Sequence, residues 1–258
     1  MLSHKAVIFD YIGTLVNCTG YTIEGSRQKL HEALDSQGFR TEKKTFLEAY
    51  MRAHEKYRKI RYEQHREVTN AVWVSEALSN IGIDAPPNDS RIKAALNIFF
   101  KDFIDGLELR MGARRLILQA LKTGKVGLIS NFTYAPVIYN SLKKVRINEF
   151  FNSIVVSDEI GFRKPSPEIF QTTLKRLQVK AEEAIYVGDS PNEDIWGAKQ
   201  AGLKTIFVSS QFNSLNDLRK SNQKPDYIAT DLPNISKYLT ELEQKIEKTA
   251  ESRTKVTK

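Results

Sequence analysis

The stretch AIYVGDSPNEDIWGAKQAG, residues 184–202, indicates the fold class of this chain most clearly. It opens with a short apolar run ending at Asp189, and a segment with helical spacing follows at 192–201. An apolar run of this length, followed at once by a helix, is typical of a buried strand in a parallel sheet. Open α/β sheets bind ligands outside the carboxyl ends of their strands. Asp189 at the strand end and Asp194 in the first helical turn are therefore predicted to lie at a site.

Similar strand and helix units flank this stretch on both sides. The predicted strands are 5–10, 126–130, 153–157, 184–189, 204–209 and 227–229. The predicted helices of this region lie at 112–123, about 135–145, from near Pro167, 192–201 and about 234–248. Apolar strands alternating with helices predict an α/β fold, a doubly wound parallel-sheet (Rossmann-like) core with helices on both faces.

A long segment without strand signals separates the first strand from the others. Its apolar residues have helical spacing in four segments, which are 24–38, 41–65, 68–82 and 89–105. We interpret it as an inserted α-helical cap over the carboxyl edge of the sheet. The predicted division is a core of 1–18 and 108–240, a helical cap of 19–107, and a polar tail of 241–258 that lacks any apolar period.

The composition limits the possible classes of protein. With 258 residues and 41% hydrophobic residues, the chain can bury a sizeable core. Its single cysteine, Cys18, excludes an intrachain disulfide. The N-terminus lacks the apolar region of a secretory signal, and no run of about 18 apolar residues occurs. We therefore expect a cytoplasmic protein with no membrane partner.

The net charge of +8 fits a generic basic surface or affinity for nucleic acid, anionic lipid or phosphorylated small molecules. No nucleic-acid motif is present, so we do not expect that partner. The basic segment 52–66 includes Tyr57 and Tyr62. It could contact substrate over the site, or it could be the solvated face of a long helix. The oligomeric state, monomer or dimer, stays open.

Four groups of polar residues follow predicted strands and carry the chemistry. They are Asp10 with Gly13 and Thr14, Ser130 with Asn131, Lys164, and Asp189 with Asp194. Three carboxylates converging on one sheet edge would repel one another unless a cation lay among them. Hard oxygen ligands suit Mg²⁺, which also takes a substrate phosphate. Lys164 would offset the charge of Asp10 and of a phosphoryl group.

The segments FDYIGTLV, LISN, the lysine of GFRKPSPEIF, and GDSPNEDIWGAKQAG resemble the four motifs of the haloacid dehalogenase superfamily, in order. The spacing resembles the subfamily with a helical cap between the first and second motifs. The resemblance covers about residues 5–16 and 110–232. It implies that Asp10 is a nucleophile that forms a covalent aspartyl intermediate, while Ser130 and Lys164 steady the transferring group.

The same resemblance implies a metal site and a substrate site. Mg²⁺ would be held by Asp10, Asp189, Asp194 and the backbone carbonyl of Ile12. Small phosphorylated substrates would also contact residues beside the nucleophile and the serine. These are Tyr11, Gly13, Thr14 and Asn131.

One position departs from the pattern. Phosphatases of this superfamily usually read DxDGT, where the second aspartate is the general acid and base, and here that position is Ile12. Another proton donor could replace it, with Tyr11 or a cap residue as candidates. The chain could instead be a dehalogenase-like or C–P-cleaving hydrolase, or a weakly catalytic phosphate-binding protein. Because Asp189 and Asp194 are retained, we favour Mg²⁺-dependent hydrolysis of small phosphorylated metabolites.

Overall fold

The computed structural model describes residues 4–242 and residue 244. Its strands are β1 (Ala6–Asp10), β2 (Val16–Cys18), β3 (Leu107–Leu109), β4 (Lys125–Ser130), β5 (Ser153–Val156), β6 (Ala184–Gly188), β7 (Lys204–Val208) and β8 (Tyr227–Ala229). Within the described residues, six strands form the main sheet in the order β5-β4-β1-β6-β7-β8. Every neighbouring pair in it is parallel. The predicted α/β fold is confirmed.

Helices cover both faces of this sheet and fill the insertion. They are α1 (Ile23–Leu34), α2 (Lys43–Glu63), α3 (Asn70–Ser79), α4 (Ser90–Phe99), α5 (Lys101–Asp105), α6 (Ala113–Thr123), α7 (Ala135–Lys144), α8 (Ser157–Ile160), α9 (Pro167–Leu177), α10 (Gly197–Gln200), α11 (Leu215–Ser221) and α12 (232–242). Five-residue and six-residue π-helical turns occur at Asp35–Phe39 and Pro191–Trp196. Most of the predicted tail 241–258 lies outside the described residues.

The alternation of side chains along β1 explains why the sheet is covered on both faces. Successive strand residues point to opposite faces. Val7 and Phe9 pack into a core with α6, α7 and α12, whereas Ala6 and Ile8 pack into a second core with α9. All of these β1 side chains are fully buried. The central strand is thus held from both sides, and its carboxyl end is fixed in position.

The cap is the set of helices α1–α5, which lies between β2 and β3. These two short strands pair antiparallel, with Val16 opposite Leu109 and Cys18 opposite Leu107. The chain therefore enters and leaves the cap through adjacent strands. The sequence did not predict this pair, because three-residue strands are too short to show a period.

Two predicted cap helices end earlier than expected. The segment 89–105 is not one helix, since it divides at Phe100 into α4 and α5. The segment 24–38 becomes α1 and then a π-helical turn, which contains Gly38 at φ 91°. A positive φ of this size suits glycine and interrupts a regular helix. The cap also packs on the core, because its apolar cluster includes Tyr134 and Val137 at the start of α7.

Candidate active site

The register of the central strands brings the predicted site residues together. Asp10 at the end of β1 lies opposite Ile129 of β4, so Ser130 is one residue further along the same edge. Phe9 lies opposite Val187 of β6, which places Asp189 just beyond the next pair. The strand order reverses on either side of β1, where ligands bind in open α/β sheets.

Lys164 is the centre of a buried charge network. Its Nζ donates to Asp10 Oδ1 at 2.6 Å and to Asp194 Oδ1 at 2.7 Å. The Lys164 side chain is only 2% exposed, so these pairs are largely shielded from water. Charge-assisted hydrogen bonds of this kind are short and strong. The second oxygen of Asp10, Oδ2, is buried and has no hydrogen-bond partner among the described residues.

Tyr186 in β6 completes this network, although the sequence did not identify it as a site residue. Its hydroxyl donates to Asp194 Oδ1 at 2.9 Å, and Lys164 Nζ donates to the same hydroxyl at 3.1 Å. The ring is fully buried and contacts Phe170 edge-on. A buried tyrosine hydroxyl normally has a polar partner. The position of Tyr186 in a buried strand that ends at Asp189 could therefore have indicated a hydrogen bond to a site residue.

Asp194 also fixes the loop after β6. Its Oδ2 accepts from the backbone N–H groups of Asp189 at 3.1 Å and Ser190 at 2.8 Å. Gly188 is required beside it, since a Cβ there would lie 2.5 Å from the Asp194 Cβ. The carboxylate of Asp194 therefore holds both Lys164 and the turn that carries Asp189.

Asp189 is held by side chains from two loops. Thr14 Oγ1 donates to its Oδ1 at 3.3 Å, and Ser210 Oγ and Asn213 Nδ2 donate to its Oδ2 at 2.5 and 3.0 Å. Gly13 has φ 99°, and a Cβ there would lie 2.7 Å from Asp189 Oδ2. Ser210 and Asn213 follow β7, at the sheet edge where open α/β sheets bind ligands. The sequence analysis did not predict either residue as part of the site.

Buried carboxylates shift the pKa values of the site. Burial and the neighbouring carboxylates raise the pKa of Asp10 to about 8, even though Lys164 opposes this. Burial and Asp194 likewise raise the pKa of Asp189. Burial by itself would lower the pKa of Lys164, but Asp10 and Asp194 raise it well above its usual value.

These carboxylates form a donor set that fits a hard divalent cation. Asp10, Asp189 and Asp194 each offer an oxygen, and these oxygens lie within 4.8 Å of one another. A bound cation would favour the ionised carboxylates that burial disfavours. The unpartnered Oδ2 of Asp10 is a ready ligand atom. An all-oxygen set of this kind is typical of Mg²⁺.

Ser130 and Asn131 line the same cavity as Asp10, Asp189 and Asp194. The Asn131 amide accepts from the backbone N–H of Lys164 at 2.7 Å and donates to the Lys164 carbonyl at 2.9 Å. It also donates to Glu193 at 2.9 Å. Asn131 therefore positions the lysine loop, while Ser130 lines the cavity next to Asp10.

Three predicted substrate contacts lie differently from expectation. Tyr11 is fully buried in the core with α6 and α7, because it is on the Val7 and Phe9 face of the chain. Its side chain is not among those that line the cavity, so it is placed neither to contact substrate nor to donate a proton there, and the same burial raises its pKa. Thr14 is fully buried with its hydroxyl on Asp189, and Gly13 lies against the same carboxylate. Both therefore shape the site without lining the cavity, whereas Ile12 does line it.

The cap closes the cavity, which has a volume of about 530 Å³. From the basic segment 52–66, His54, Arg61 and Tyr62 line it. Lys56 and Arg58 of the same segment pair with glutamates at the surface instead. Residues of this segment therefore lie both at the cavity and at the protein surface, and substrate contact by the first group stays a prediction.

A buried carboxylate joins cap and core beside the cavity. Glu67 accepts from Arg61 Nε at 2.6 Å and from Ser157 Oγ at 2.6 Å. Backbone bonds flank it, from Glu67 N to Gly161 O at 3.0 Å and from Arg163 N to His65 O at 3.1 Å. The cap is thus tied to the loop that carries Lys164.

The fold and the site together define a hydrolase with a parallel-sheet core and a helical cap, in which three aspartates and one lysine meet beneath the cap. A family model described as haloacid dehalogenase-like hydrolase matches residues 4–202. The chain belongs to this family, and the resemblance of its four motifs is confirmed. In the described part of the chain, no helix has the length and hydrophobicity needed to cross a membrane.

Curated relatives and solved structures agree with this assignment. A protein of Pyrococcus furiosus is 35% identical over 130 residues, which are 50% of this chain and 53% of that protein. The chain therefore spans about half the length of that relative. A protein of Methanopyrus kandleri is 28% identical over 224 residues, 86% of this chain and 91% of that protein. Both are named glyceraldehyde 3-phosphate phosphatase.

A crystal structure of a 2-haloacid dehalogenase from Pseudomonas syringae pv. tomato has a similar fold. Its TM-score with this chain is 0.66 at 23% identity, and the match covers 93% of this chain and 99% of that one. At this identity the likeness concerns the fold alone.

Proposed function

We propose that this chain is a Mg²⁺-dependent hydrolase of small phosphorylated metabolites, with Asp10 as the nucleophile. The observation that carries the proposal is the Asp10 carboxylate. One oxygen is held by Lys164 at 2.6 Å, while the other has no hydrogen-bond partner and the residue lines the cavity. Relatives named glyceraldehyde 3-phosphate phosphatase support phosphoryl chemistry on small substrates.

The metal would be held by Asp10, Asp189, Asp194 and the carbonyl of Ile12. Mg²⁺ in such a site neutralises charge on the phosphoryl oxygens. Each oxygen of Asp194 already accepts two hydrogen bonds, so this residue also has a structural function. We infer that Asp194 also keeps Lys164 and the Asp189 loop in place.

The reaction would take place in two displacements at phosphorus. One carboxylate oxygen of Asp10 attacks the phosphorus and a new P–O bond forms. The bond to the leaving alkoxide breaks, the alkoxide takes a proton from water, and an aspartyl phosphate results. Water then attacks the phosphorus, the bond to Asp10 breaks, and inorganic phosphate leaves with the carboxylate restored. Splitting one difficult displacement into two lowers each barrier. Lys164 and Ser130 would meet charge on the phosphoryl oxygens.

Proton transfer is the weak part of this cycle. Ile12 lines the cavity where the usual general acid and base would stand, and its side chain can neither donate nor accept a proton. Loss of such help typically costs about 10²–10⁴ in rate. We therefore expect slow turnover, with the proton coming from water.

A second candidate is carbon–halogen cleavage, which Ile12 and the apolar part of the cavity favour. In that reaction Asp10 would displace halide from carbon and form an ester. The retained acidic cluster argues against it, because that chemistry leaves the cluster without a role.

The test is a panel of phosphomonoesters and 2-haloacids assayed with Mg²⁺ and with a chelator. We expect phosphate release that depends on Mg²⁺ and is lost in Asp10→Asn. Asp84→Asn, at an exposed cap position, is the matched control and should behave as wild type. Halide release that persists with the chelator would favour the second candidate, and no turnover of any compound would defeat the enzyme proposal.

A further inference from the structure

Five aromatic side chains form a continuous wall on the cap side of the cavity. Neighbouring rings contact one another, with centroid distances of 5.1, 5.4, 5.4 and 4.6 Å from one end to the other. The members of this aromatic wall, in order, are Tyr21, Phe103, Phe132, Phe100 and Phe99. Phe132, the middle member, comes two residues after Ser130, so the centre of the wall is the part nearest in the chain to the position proposed for the phosphoryl group.

The cations that line the cavity are already engaged. Arg61 pairs with Glu67 at 2.6 Å, Arg163 pairs with Glu193 at 3.0 Å, and Lys164 pairs with Asp10. Burial lowers the pKa of His54, so its ring is neutral at pH 7. Within the described residues, each of these cations therefore already faces a carboxylate, although the buried Nη1 of Arg163 makes no hydrogen bond. A second anionic group on a substrate would have to compete with those carboxylates.

In the part of the chain that the structure describes, buried polar atoms without a hydrogen-bond partner interrupt the apolar surface; besides Asp10 Oδ2 they are Asn70 Oδ1, Trp73 Nε1 and Arg163 Nη1. Asn70 is 3% exposed and lines the cavity, and its Oδ1 has no hydrogen-bond partner among the described residues. An unsatisfied buried acceptor is costly unless a ligand or water donates to it. A single donor on an otherwise apolar ligand would satisfy it.

The inference drawn from these observations rests on the proposed function and narrows the class of substrate. We propose that the cap selects phosphate monoesters of uncharged, aromatic or largely apolar alcohols, with the alcohol portion against the aromatic wall. Aromatic rings gain from burial and from offset or edge-on contacts with other rings. A leaving group that carries a carboxylate or a second phosphate would be desolvated without a counter-charge.

The kinetic test compares esters whose leaving groups are all simple alkoxides. We expect kcat/KM for benzyl phosphate to exceed that for glycerol 3-phosphate and phosphoglycolate by about 10- to 100-fold, the gain expected from burying a ring. Phe103→Ser should remove most of this preference by lowering kcat/KM for benzyl phosphate toward the values for the other two esters. Phe150→Ser is the control, because Phe150 is also half-buried but lies outside the cavity. Equal or reversed preference in the wild type would overturn the proposal.

A binding test separates this inference from the proposed function. Benzylphosphonate and methylphosphonate are compared by calorimetry in the presence of Mg²⁺, so no turnover is needed. We expect benzylphosphonate to bind about 10- to 100-fold more tightly, and Phe103→Ser to abolish the difference. Tighter benzylphosphonate binding without any phosphatase turnover would sink the catalytic proposal alone. Equal binding of the two compounds by an active enzyme would sink the aromatic-wall proposal alone.

Discussion

Removal of the Tyr186 hydroxyl tests how Lys164 is held in the buried charge network. In Tyr186→Phe the ring stays in its buried place against Phe170, but the bonds of 2.9 Å to Asp194 and 3.1 Å to Lys164 are lost. A hydrogen bond to a charged group contributes about 1.5–3 kcal/mol. Because Lys164 and Asp194 remain paired with each other, we count one such bond and expect a loss of about 1.5–3 kcal/mol. For a chain of this size that lowers the melting midpoint by about 3–12 °C.

The same variant should slow catalysis more than it weakens substrate binding. Lys164 loses one of its three partners, so its Nζ is less well positioned against Asp10. Thermal unfolding by circular dichroism and steady-state kinetics at saturating Mg²⁺ measure the two effects, with kcat expected to fall and KM to stay near wild type. Tyr227→Phe is the control, because that ring stacks on Tyr238 away from the site. A midpoint and a kcat that both match wild type would refute the positioning role.

Three further perturbations test other parts of the account. Ile12→Asp should raise kcat by about 10²-fold or more by supplying the missing acid and base, and no gain in phosphate release would show that another group moves the proton. Mg²⁺ at 100 times its Kd should stabilise the wild type by about 2.7 kcal/mol, measured as a shift of the melting midpoint. Asp189→Asn should lose this shift, and retention would place the metal elsewhere. Glu67→Gln should destabilise the protein by up to about 3–5 kcal/mol in urea unfolding, because Arg61 is left without its buried partner; unchanged stability would show that this pair does not hold the cap.

The parallel core could be predicted because its strands are short apolar runs, and all but the last of them end in a polar residue. Asp10, Asp189, Asp194 and Lys164 follow such runs or precede a helix, and parallel strands bring their carboxyl ends to one edge. The prediction of these four residues depended on topology alone. It required no knowledge of side-chain conformation.

The side-chain contacts around the site residues could not be predicted in the same way. Tyr11 and Tyr186 are both buried tyrosines near strand ends, yet one faces the α6 and α7 core and the other faces Lys164. One residue of register separates the two faces of a strand, so the assignment needs the sheet itself. The aromatic wall could not be predicted because Phe99, Phe100 and Phe103 have the spacing of ordinary helical core residues. Tyr21 and Phe132 lie outside the predicted helices and far in sequence from these phenylalanines.

The most direct measurement of the central claim is chemical trapping of the intermediate on Asp10. Enzyme mixed with Mg²⁺ and a turned-over phosphomonoester is quenched in acid during the first turnover, reduced with borohydride and mapped by peptide mass spectrometry. A phosphoryl group on Asp10 would appear as homoserine at position 10, which is the result that the account predicts. Phosphate release with no homoserine at position 10, or with label on another residue, would contradict the account.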